Sequence, residues 1–369
     1  WQVVRQHESS KSRVEFELLL HHITDAIQDR LKANEQVLRG AVGLFSANTQ
    51  VGRDVTRAEF KAFVAALRLN ERYPGIQGVG FSRLITPAQL ADHLLAIRAD
   101  GFPEYALRPP GERRHYSSIV YLEPFDWRNQ RAFGYDMYSE PVRQRAMERA
   151  WKSGAAALSG RVILLQETDK DVQPGILMYL PVYQSGTTPT GEERRLDELI
   201  GWAYSPLRMK DMMSSLLERD IPHTVGRIAF TIYDGENADP AALLFSNEDS
   251  DKVEPSRFHA SRKIEIAGQP WFLTATALPG LGEPTSVANS MVILTAGLGI
   301  SLLLAFLNMN QLRSSARLAV AVSQLQESES RFRHFFEKNK SVMFLVDPES
   351  GVIIDANQAA ASYYGYPKP

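Results

Sequence analysis

Side chains that could hold a small molecule are concentrated in residues 115–183. The rings and polar groups involved are Tyr116, Tyr121, Phe125, Trp127, Phe133, Tyr135 and Tyr138, with Asp126, Asn129, Asp136 and Arg143 among them. A small-molecule pocket needs this mixture, because rings supply apolar walls and a few polar groups orient the ligand. The alternative is that the rings fill a core and the charges lie on turns. For the span as a whole we favour a ligand site.

Motifs for catalysis, metal binding and nucleotide binding are missing from the sequence. It has neither G-x-S-x-G nor H-E-x-x-H, its 8 histidines are scattered, and it has no cysteine. Gly75, Gly78 and Gly80 lack G-x-G-x-x-G spacing, so close strand packing or a turn explains them better. A net charge of -2 makes no electrostatic case for nucleic acid as a partner. We therefore expect no catalytic residues, no metal and no cofactor.

Residues 287–307 carry no charge and can cross a hydrocarbon core of about 30 Å as a helix. Basic residues follow this segment, and basic flanks stay in the cytoplasm. They are Arg313, Arg317, Arg331, Arg333, Lys338 and Lys340. We expect an inner-membrane protein with residues 1–286 periplasmic and 309–369 cytoplasmic, and an earlier membrane helix before Trp1. The alternative, a buried core helix, is opposed by the length and by the lack of a polar face.

Three helical features favour a homodimer. Gly297, Ser301 and Ala305 lie four residues apart on the membrane helix, which would let two helices approach closely. Beyond the membrane a short heptad pattern follows, interrupted by Glu329. Its two rows are Leu318, Leu325 and Phe332, and Val322, Glu329 and Phe336. Residues 1–46 read as a long helix whose narrow apolar stripe pairs with a copy of itself or packs on the domain below. The stripe consists of Leu20, Ile23, Ile27, Leu31, Asn34, Leu38, Ala41 and Phe45.

Helices and strands alternate through residues 54–278. Helices are predicted after Thr56, where Glu59 completes a capping box, after Thr86, and over 140–154. Predicted strands occupy 76–85, 117–125, 160–167 and 175–183, and then 199–207, 226–235, 241–246, 259–268 and 269–278, with a helix at 209–220. This order predicts an α+β fold with mostly antiparallel sheets, the later strands forming a second and smaller sheet.

Four motifs, in order, resemble the CHASE family of extracytoplasmic sensor domains. They are RYPGIQGVGF (72–81), YLEPFDWRNQRAFGYDMYSEPVRQRAMERAWKSG (121–154), ALSGRVILLQE (157–167) and GILMYLPVY (175–183). The resemblance implies a long stalk helix and two PAS-like α+β modules with antiparallel sheets, the membrane-distal module binding a small ligand. Plant members of the family bind cytokinins, which are adenine derivatives.

The resemblance also implies which residues contact the ligand. A ligand-binding acid falls at Asp126 or Trp127, a hydroxyl at Ser159, and pocket-lining positions at Leu177 and Tyr179. Met147 falls on a helix that faces the ligand. With the aromatic residues of the span added, the predicted ligand-binding residues are Tyr121, Phe125, Asp126, Trp127, Tyr135, Met147, Ser159, Leu177 and Tyr179.

The C-terminal residues resemble the start of a cytoplasmic PAS domain, through Asp347, Gly351, Ile353 and Asn357. The predicted divisions are a stalk helix (1–53), a distal module (54–195), a proximal module (196–283), a membrane helix (284–308), a signalling helix (309–336) and a partial PAS domain (337–369). We expect the sensor part of a transmembrane receptor whose output domain, a histidine kinase, lies outside this sequence. Two alternatives stay open: a cyclic-di-GMP synthase or phosphodiesterase as output, and an exported protein-interaction module without a small ligand.

Overall fold

The computed structural model describes residues 2–168, 170–248, 258–279, 281 and 287–367. The chain divides into two compact units, Trp1–Pro284 and Thr285–Pro369. The predicted boundary at residue 283, between the second module and the membrane helix, lies outside the described residues, as does Trp1.

The first unit begins with one long helix, α1 (Gln2–Gln50). Its predicted apolar stripe is buried from Leu20 to Phe45. The burial arises because α1 packs along the sheets of its own chain, which is one of the two arrangements that the stripe predicted. Asn34, the polar member of the stripe, is also buried and accepts a hydrogen bond from Ser205 Oγ at 2.8 Å.

Six strands form the first sheet, in the order β2-β1-β6-β5-β3, and β4 also pairs with β5. Every pairing in the sheet is antiparallel, as predicted. The strands are β1 (Val79–Ile85), β2 (Tyr116–Glu123), β3 (Ala157–Leu158), β4 (Val162–Ile163), β5 (Pro174–Tyr183) and β6 (Leu199–Arg208).

The position of β6 corrects the predicted division into modules. The sequence places this strand at the start of the second module, but it lies inside the first sheet, between β1 and β5. Tyr204 of β6 pairs with Gly80 on one side and with Tyr179 on the other. The first module therefore extends to Arg208, and a boundary at residue 195 would divide a single sheet. Local pattern identified the strand, but pairing between remote strands is decided by tertiary packing.

Close packing explains the glycines of β1 and the turn before it, as predicted. A Cβ on Gly80 would lie 2.5 Å from Cε1 of Tyr204. Gly75 has a φ of +94°, and a Cβ there would lie 2.5 Å from the Cβ of Met212. Both positions exclude a side chain, so the chain can run close to β6 and to the helix that follows it.

Six further helices flank the sheets of the described first unit. They are α2 (Arg57–Leu67), α3 (Leu69–Arg72), α4 (Leu90–Ala99), α5 (Pro141–Ser153), α6 (Glu192–Asp197) and α7 (Met209–Arg219). The predicted capping box of α2 is present, with Thr56 N donating to Glu59 Oε2 at 2.9 Å. Helix α5 begins as predicted at Pro141, where Glu140 accepts from two backbone N–H groups, and ends at Gly154 in the left-handed conformation.

The second module is a four-stranded antiparallel sheet in the order β8-β7-β10-β9. Its strands are β7 (Ile228–Asp234), β8 (Leu243–Ser246), β9 (His259–Ile266) and β10 (Gln269–Ala277). Ion pairs join it to α1: Glu17 lies 2.8 Å from Arg262, and Glu15 also contacts Arg227. Helix α1 therefore contacts both modules.

The second unit contains α8 (Val287–Lys338), a single uninterrupted helix. Within it, Met291–Lys338 is long and apolar enough to cross a membrane, and it is the one such helix in the described chain. A hairpin of β11 (Phe344–Val346) and β12 (Ile353–Ala356) follows, then α9 (Gln358–Tyr364). Asn357 of the predicted PAS motif caps α9 by accepting from Ala360 N at 2.9 Å, and it donates to Ser341 O at 2.9 Å.

Candidate ligand-binding site

The first sheet has two different faces because side chains alternate along each strand. On β5, Ile176 and Met178 belong to the core on the α1 side, while Leu177 and Tyr179 belong to a second buried cluster. That cluster also contains Met147 of α5. The structure thus brings three of the predicted ligand-binding residues into one buried layer between the sheet and α5.

Ser159 lies at the edge of this layer, and its hydroxyl makes hydrogen bonds with backbone atoms. Its Oγ donates to Gly160 O at 2.8 Å and accepts from Leu177 N at 2.9 Å. Its own N–H donates to Leu177 O at 2.7 Å. Ser159 therefore fixes the loop after β3 against β5, and it does not line the cleft described below.

Two tyrosines fill the middle of the layer. Tyr179 is fully buried, lies with its ring centroid 6.2 Å from that of Tyr204, and donates to Met137 Sδ at 3.3 Å. Burial raises the pKa of both phenols, so they stay neutral donors. The Tyr204 hydroxyl has no hydrogen-bond partner among the described residues. A buried donor without a partner is unusual and marks a place where a ligand atom or a water molecule would be accommodated.

Four of the predicted residues lie elsewhere. Tyr121 faces the opposite side of the sheet, where its ring lies 5.3 Å from that of Phe60 and its hydroxyl donates to Val55 O at 2.6 Å. Trp127 is 62% exposed. Asp126 is exposed and caps a turn by accepting from Asn129 N at 2.9 Å.

Phe125 is half-buried in a separate group of rings with Phe102 and Phe133, at centroid distances of 5.8 and 5.3 Å. Tyr135 lies at the edge of the layer, with the Arg143 guanidinium 5.3 Å from its ring centroid. Neighbouring residues in an irregular loop point in different directions, so a dense run of rings in the sequence does not become one wall.

Asp136 is the acid of the 115–154 span that the structure buries, whereas the sequence prediction placed the ligand-binding acid at Asp126 or Trp127. Its Oδ1 accepts from Ser117 N at 2.8 Å and from Tyr138 N at 3.1 Å. Its Oδ2 has no hydrogen-bond partner among the described residues, and the nearest charge is Arg113 Nη1 at 3.3 Å. Burial raises the pKa of this carboxyl, although the backbone donors and Arg113 oppose the shift.

The flanking residues were the available signal for Asp136. It stands in the apolar run FGYDMY, whereas Asp126 stands in DWRNQR among charged and amide residues. An acid surrounded by apolar neighbours tends to be carried into the core with them.

Beside the buried layer, a cleft of about 510 Å³ opens along one side of α5. The lining residues are Leu84, Arg113, Arg114, His115, Tyr138, Ser139, Gln144, Glu148, Trp151, Lys152 and Leu196. Tyr138 connects the cleft to the layer, since its ring centroid lies 5.5 Å from that of Trp202. Arg113 makes a second connection through its ion pair with Asp136. Aromatic walls, an amide, a hydroxyl and charges thus surround a space that suits a small organic molecule.

Among the described residues, no group of three or more His, Asp or Glu side chains could hold a metal ion. Arg143, the buried cation of the layer, donates to the backbone at Ile163 O over 3.0 Å. The arrangement is suited to recognition of a bound molecule.

A long helix, two antiparallel-sheet modules and a following apolar helix define the extracytoplasmic sensor part of a membrane receptor. The chain belongs to the CHASE domain family, whose family model matches residues 53–245. A PAS domain model matches residues 330–368. Both resemblances drawn from the sequence motifs are confirmed.

Two solved structures resemble this chain at low sequence identity. One is the periplasmic sensory domain of the Campylobacter jejuni chemoreceptor Tlp1, at 7% identity and a TM-score of 0.43, covering 77% of this chain and 99% of that one. The other is the extracellular domain of vpHK1S-Z8, named as a histidine kinase, at 11% identity and a TM-score of 0.37, covering 75% and 94%. No curated protein matches the sequence.

Proposed function

We propose that the first module binds a small organic ligand with a flat body in the cleft beside α5, and that binding is reported across the membrane. The observation that carries the proposal is Asp136, a buried carboxylate whose Oδ2 accepts no hydrogen bond from the described residues and whose ion-pair partner Arg113 lines the cleft. A buried carboxylate with free acceptor capacity is costly unless something compensates it. Adenine derivatives are the ligand class that the family resemblance supplies.

Helix α5 provides a route from the cleft to the second module. Four of its residues, from Gln144 to Lys152, line the cleft. On another side, Arg149 donates to Leu158 O at 2.6 Å and to Gln269 Oε1 at 2.9 Å. A ligand that moves α5 would thus act on the first residue of β10. We propose a shift between two packings of these modules, because a ligand can change an equilibrium only through its different affinity for the two states.

The output of the receptor is proposed as a histidine kinase, with a cyclic-di-GMP synthase or phosphodiesterase as the alternative. We further propose a homodimer in the inner membrane, with residues 309–369 in the cytoplasm. The apolar heptad positions support the dimer, since Leu318, Leu325 and Phe332 are 67%, 71% and 50% exposed in the single chain. Alkaline phosphatase fusions, active only outside the cytoplasm, should be active at Leu278 and inactive at Arg333. Equal activity at both points would contradict the topology.

The ligand proposal is tested with the full chain in detergent, using thermal-shift measurements against a library that includes adenine derivatives. We expect at least one compound to raise the melting temperature of the wild type in a saturable way. Asp136→Asn should abolish this rise, and the matched variant Asp126→Asn should keep it, because Asp126 lies on the surface. If only the Asp126 variant loses the rise in melting temperature, the ligand-binding acid is Asp126, as predicted from the sequence. The absence of any stabilising compound would contradict ligand binding.

A protein-interaction module without a small ligand is the second candidate. It is favoured by Trp127, which is 62% exposed and carries the Arg128 guanidinium 5.3 Å from its ring centroid. Exposed tryptophan and arginine are enriched at protein interfaces. Under this alternative, Trp127→Ala should abolish signalling by the receptor, while Asp136→Asn should leave it intact.

A further inference from the structure

We infer that the ligand of the cleft beside α5 is a small organic acid, whose carboxylate contacts Arg114 and Lys152 and whose flat body lies on Trp151 and Tyr138. This inference rests on the proposed function, because it names the chemical class of the ligand for the same site. It differs from the neutral adenine derivatives that the family resemblance supplies.

Cations outnumber acids among the side chains that line the cleft. Arg113, Arg114 and Lys152 line it as cations, whereas Glu148 is the one acid in the lining. Glu148 Oε1 accepts from Gln144 Nε2 at 2.9 Å and keeps its negative charge, because the amide donor is neutral. With Arg113 paired to Asp136, Arg114 and Lys152 face Glu148, so the cleft keeps an excess of positive charge on a chain whose net charge is -2.

Two of the cations have no carboxylate partner among the described residues. In the described part of the chain, neither Arg114 nor Lys152 forms an ion pair, although other surface cations such as Arg30, Arg39 and Arg194 do. The Lys152 ammonium instead lies 5.5 Å from the ring centroid of Trp151. Both side chains are exposed, so they can move onto an anion at little cost.

Arg113 fixes the inner end of the cleft. Its side chain is 22% exposed, and its Nη1 lies 3.3 Å from the fully buried Asp136. Its Nη1 also donates to the backbone at Gly111 O over 3.2 Å and Pro109 O over 3.3 Å. A guanidinium held in this way offers its remaining N–H groups in a fixed direction, and arginine forms strong paired hydrogen bonds with carboxylates.

His115 lies next to Arg114 in the lining of the cleft and is affected by its charge. Burial lowers the pKa of its imidazole, and the charge of Arg114 lowers it further. It lines the cleft together with those cations. An anion bound here would offset that repulsion, whereas a neutral or cationic ligand would not.

The aromatic rings that line the cleft favour a ligand with a flat body. Trp151 is mostly buried and Tyr138 is half-buried, so each presents a ring that is held by packing. Flat rings favour a planar partner through stacking. An aromatic carboxylic acid combines both requirements, which a sugar or an inorganic anion does not.

The experiment compares each acid with its neutral amide on the full chain in detergent. The probes are benzoate with benzamide, phenylacetate with phenylacetamide, and indole-3-acetate with indole-3-acetamide, measured by isothermal titration calorimetry. We expect at least one acid to bind at least tenfold more tightly than its amide. The double variant R114Q/K152M should weaken that acid about tenfold or more. R145Q is the matched control, because Arg145 is an exposed cation of α5 outside the cleft.

The possible results separate an organic-acid ligand from the alternatives. Amides that bind as tightly as their acids, or an equal loss of affinity in R145Q and R114Q/K152M, would overturn it. If no acid binds at millimolar concentration but an adenine derivative binds in an Asp136-dependent way, the inference fails and the proposed function stands. If neither class binds, both fail. Circular dichroism of the double variant checks folding, and these exposed substitutions should leave the spectrum unchanged.

Discussion

Arg149 Nη2 donates to Gln269 Oε1 across 2.9 Å, and this contact joins helix α5 of the first module to the first residue of β10 in the second. The same guanidinium donates to Leu158 O at 2.6 Å. Nearby, Leu158 N donates to Ala267 O at 3.0 Å, and Arg161 N donates to Asp234 Oδ2 at 2.7 Å. The ligand-side layer of the first module therefore meets the turns of the second through direct hydrogen bonds.

Arg149→Met should lower the free energy of unfolding by about 1–3 kcal/mol, because two charge-assisted hydrogen bonds are lost. It should also speed hydrogen exchange of the backbone amides around Ala267 and Gln269. Urea unfolding and hydrogen-exchange mass spectrometry measure the two effects. Arg145→Met, an exposed neighbour on the same helix, should change neither. Unchanged exchange in the Arg149 variant would show that the contact does not hold the modules together.

Asp136→Asn should reduce the loss of stability that occurs as pH rises through the raised pKa of this carboxyl. The pKa of this carboxyl is raised by burial above its usual value of 3.8, so the folded state binds more protons than the unfolded state. Stability from this group is present below the unfolded pKa and is lost as pH rises through the folded pKa. The asparagine has no such titration, and its Oδ1 can still accept from Ser117 N. Urea unfolding at several pH values from 3.5 to 7 compares the two proteins, and identical pH profiles would contradict the burial of a charged group.

Tyr204→Phe should leave the free energy of unfolding unchanged or raise it by up to about 1 kcal/mol. The hydroxyl that it removes is buried and has no partner among the described residues. Its removal therefore costs the folded state no hydrogen bond, whereas the unfolded state loses a hydrogen bond to water. Tyr179→Phe is the comparison, since its hydroxyl contacts Met137 Sδ. A loss greater than about 1 kcal/mol in Tyr204→Phe would indicate a buried water molecule on this hydroxyl.

Gly80→Ala should destabilise the first module by about 1–3 kcal/mol, through overpacking. The new methyl group would meet the Tyr204 ring at 2.5 Å and the backbone at Tyr121 O at 2.7 Å, and neither neighbour is free to move. Gly297→Ala is the contrasting change, because nothing lies within 4 Å of a Cβ at that position in the single chain. Thermal unfolding compares the variants, and a wild-type melting temperature for Gly80→Ala would contradict the close packing of β1 on β6.

Local features were predictable because neighbouring residues decide them. The capping box of Thr56 and Glu59, the start of α5 at Pro141 and the buried stripe of α1 all follow from spacing within one helical segment. The two sheets were also expected, since each strand shows its own apolar pattern. The family motifs then indicated the order in which these elements combine.

The content of the site was less predictable, and none of the predicted ligand-binding residues lines the cleft beside α5. Of the predicted ligand-binding residues, Met147, Leu177 and Tyr179 share one buried layer, and Ser159 lies at its edge. Tyr121 lies on the other face of the sheet, and Asp126 and Trp127 lie at the surface. Asp136 was not selected, because the family resemblance placed the acid at Asp126 or Trp127. Arg113 was not selected, because an irregular loop has no period from which the direction of a side chain can be read.

The sequence by itself determined the parts whose physics is local or additive: an uncharged segment long enough for a bilayer, capped helices, and the motifs of a CHASE sensor. Only the tertiary structure decided that β6 belongs to the first sheet, that Asp136 rather than Asp126 is buried, and that unpaired cations gather beside α5. These depend on pairing and packing between residues far apart in the chain, where many arrangements satisfy the same local pattern and the burial of the whole core selects one.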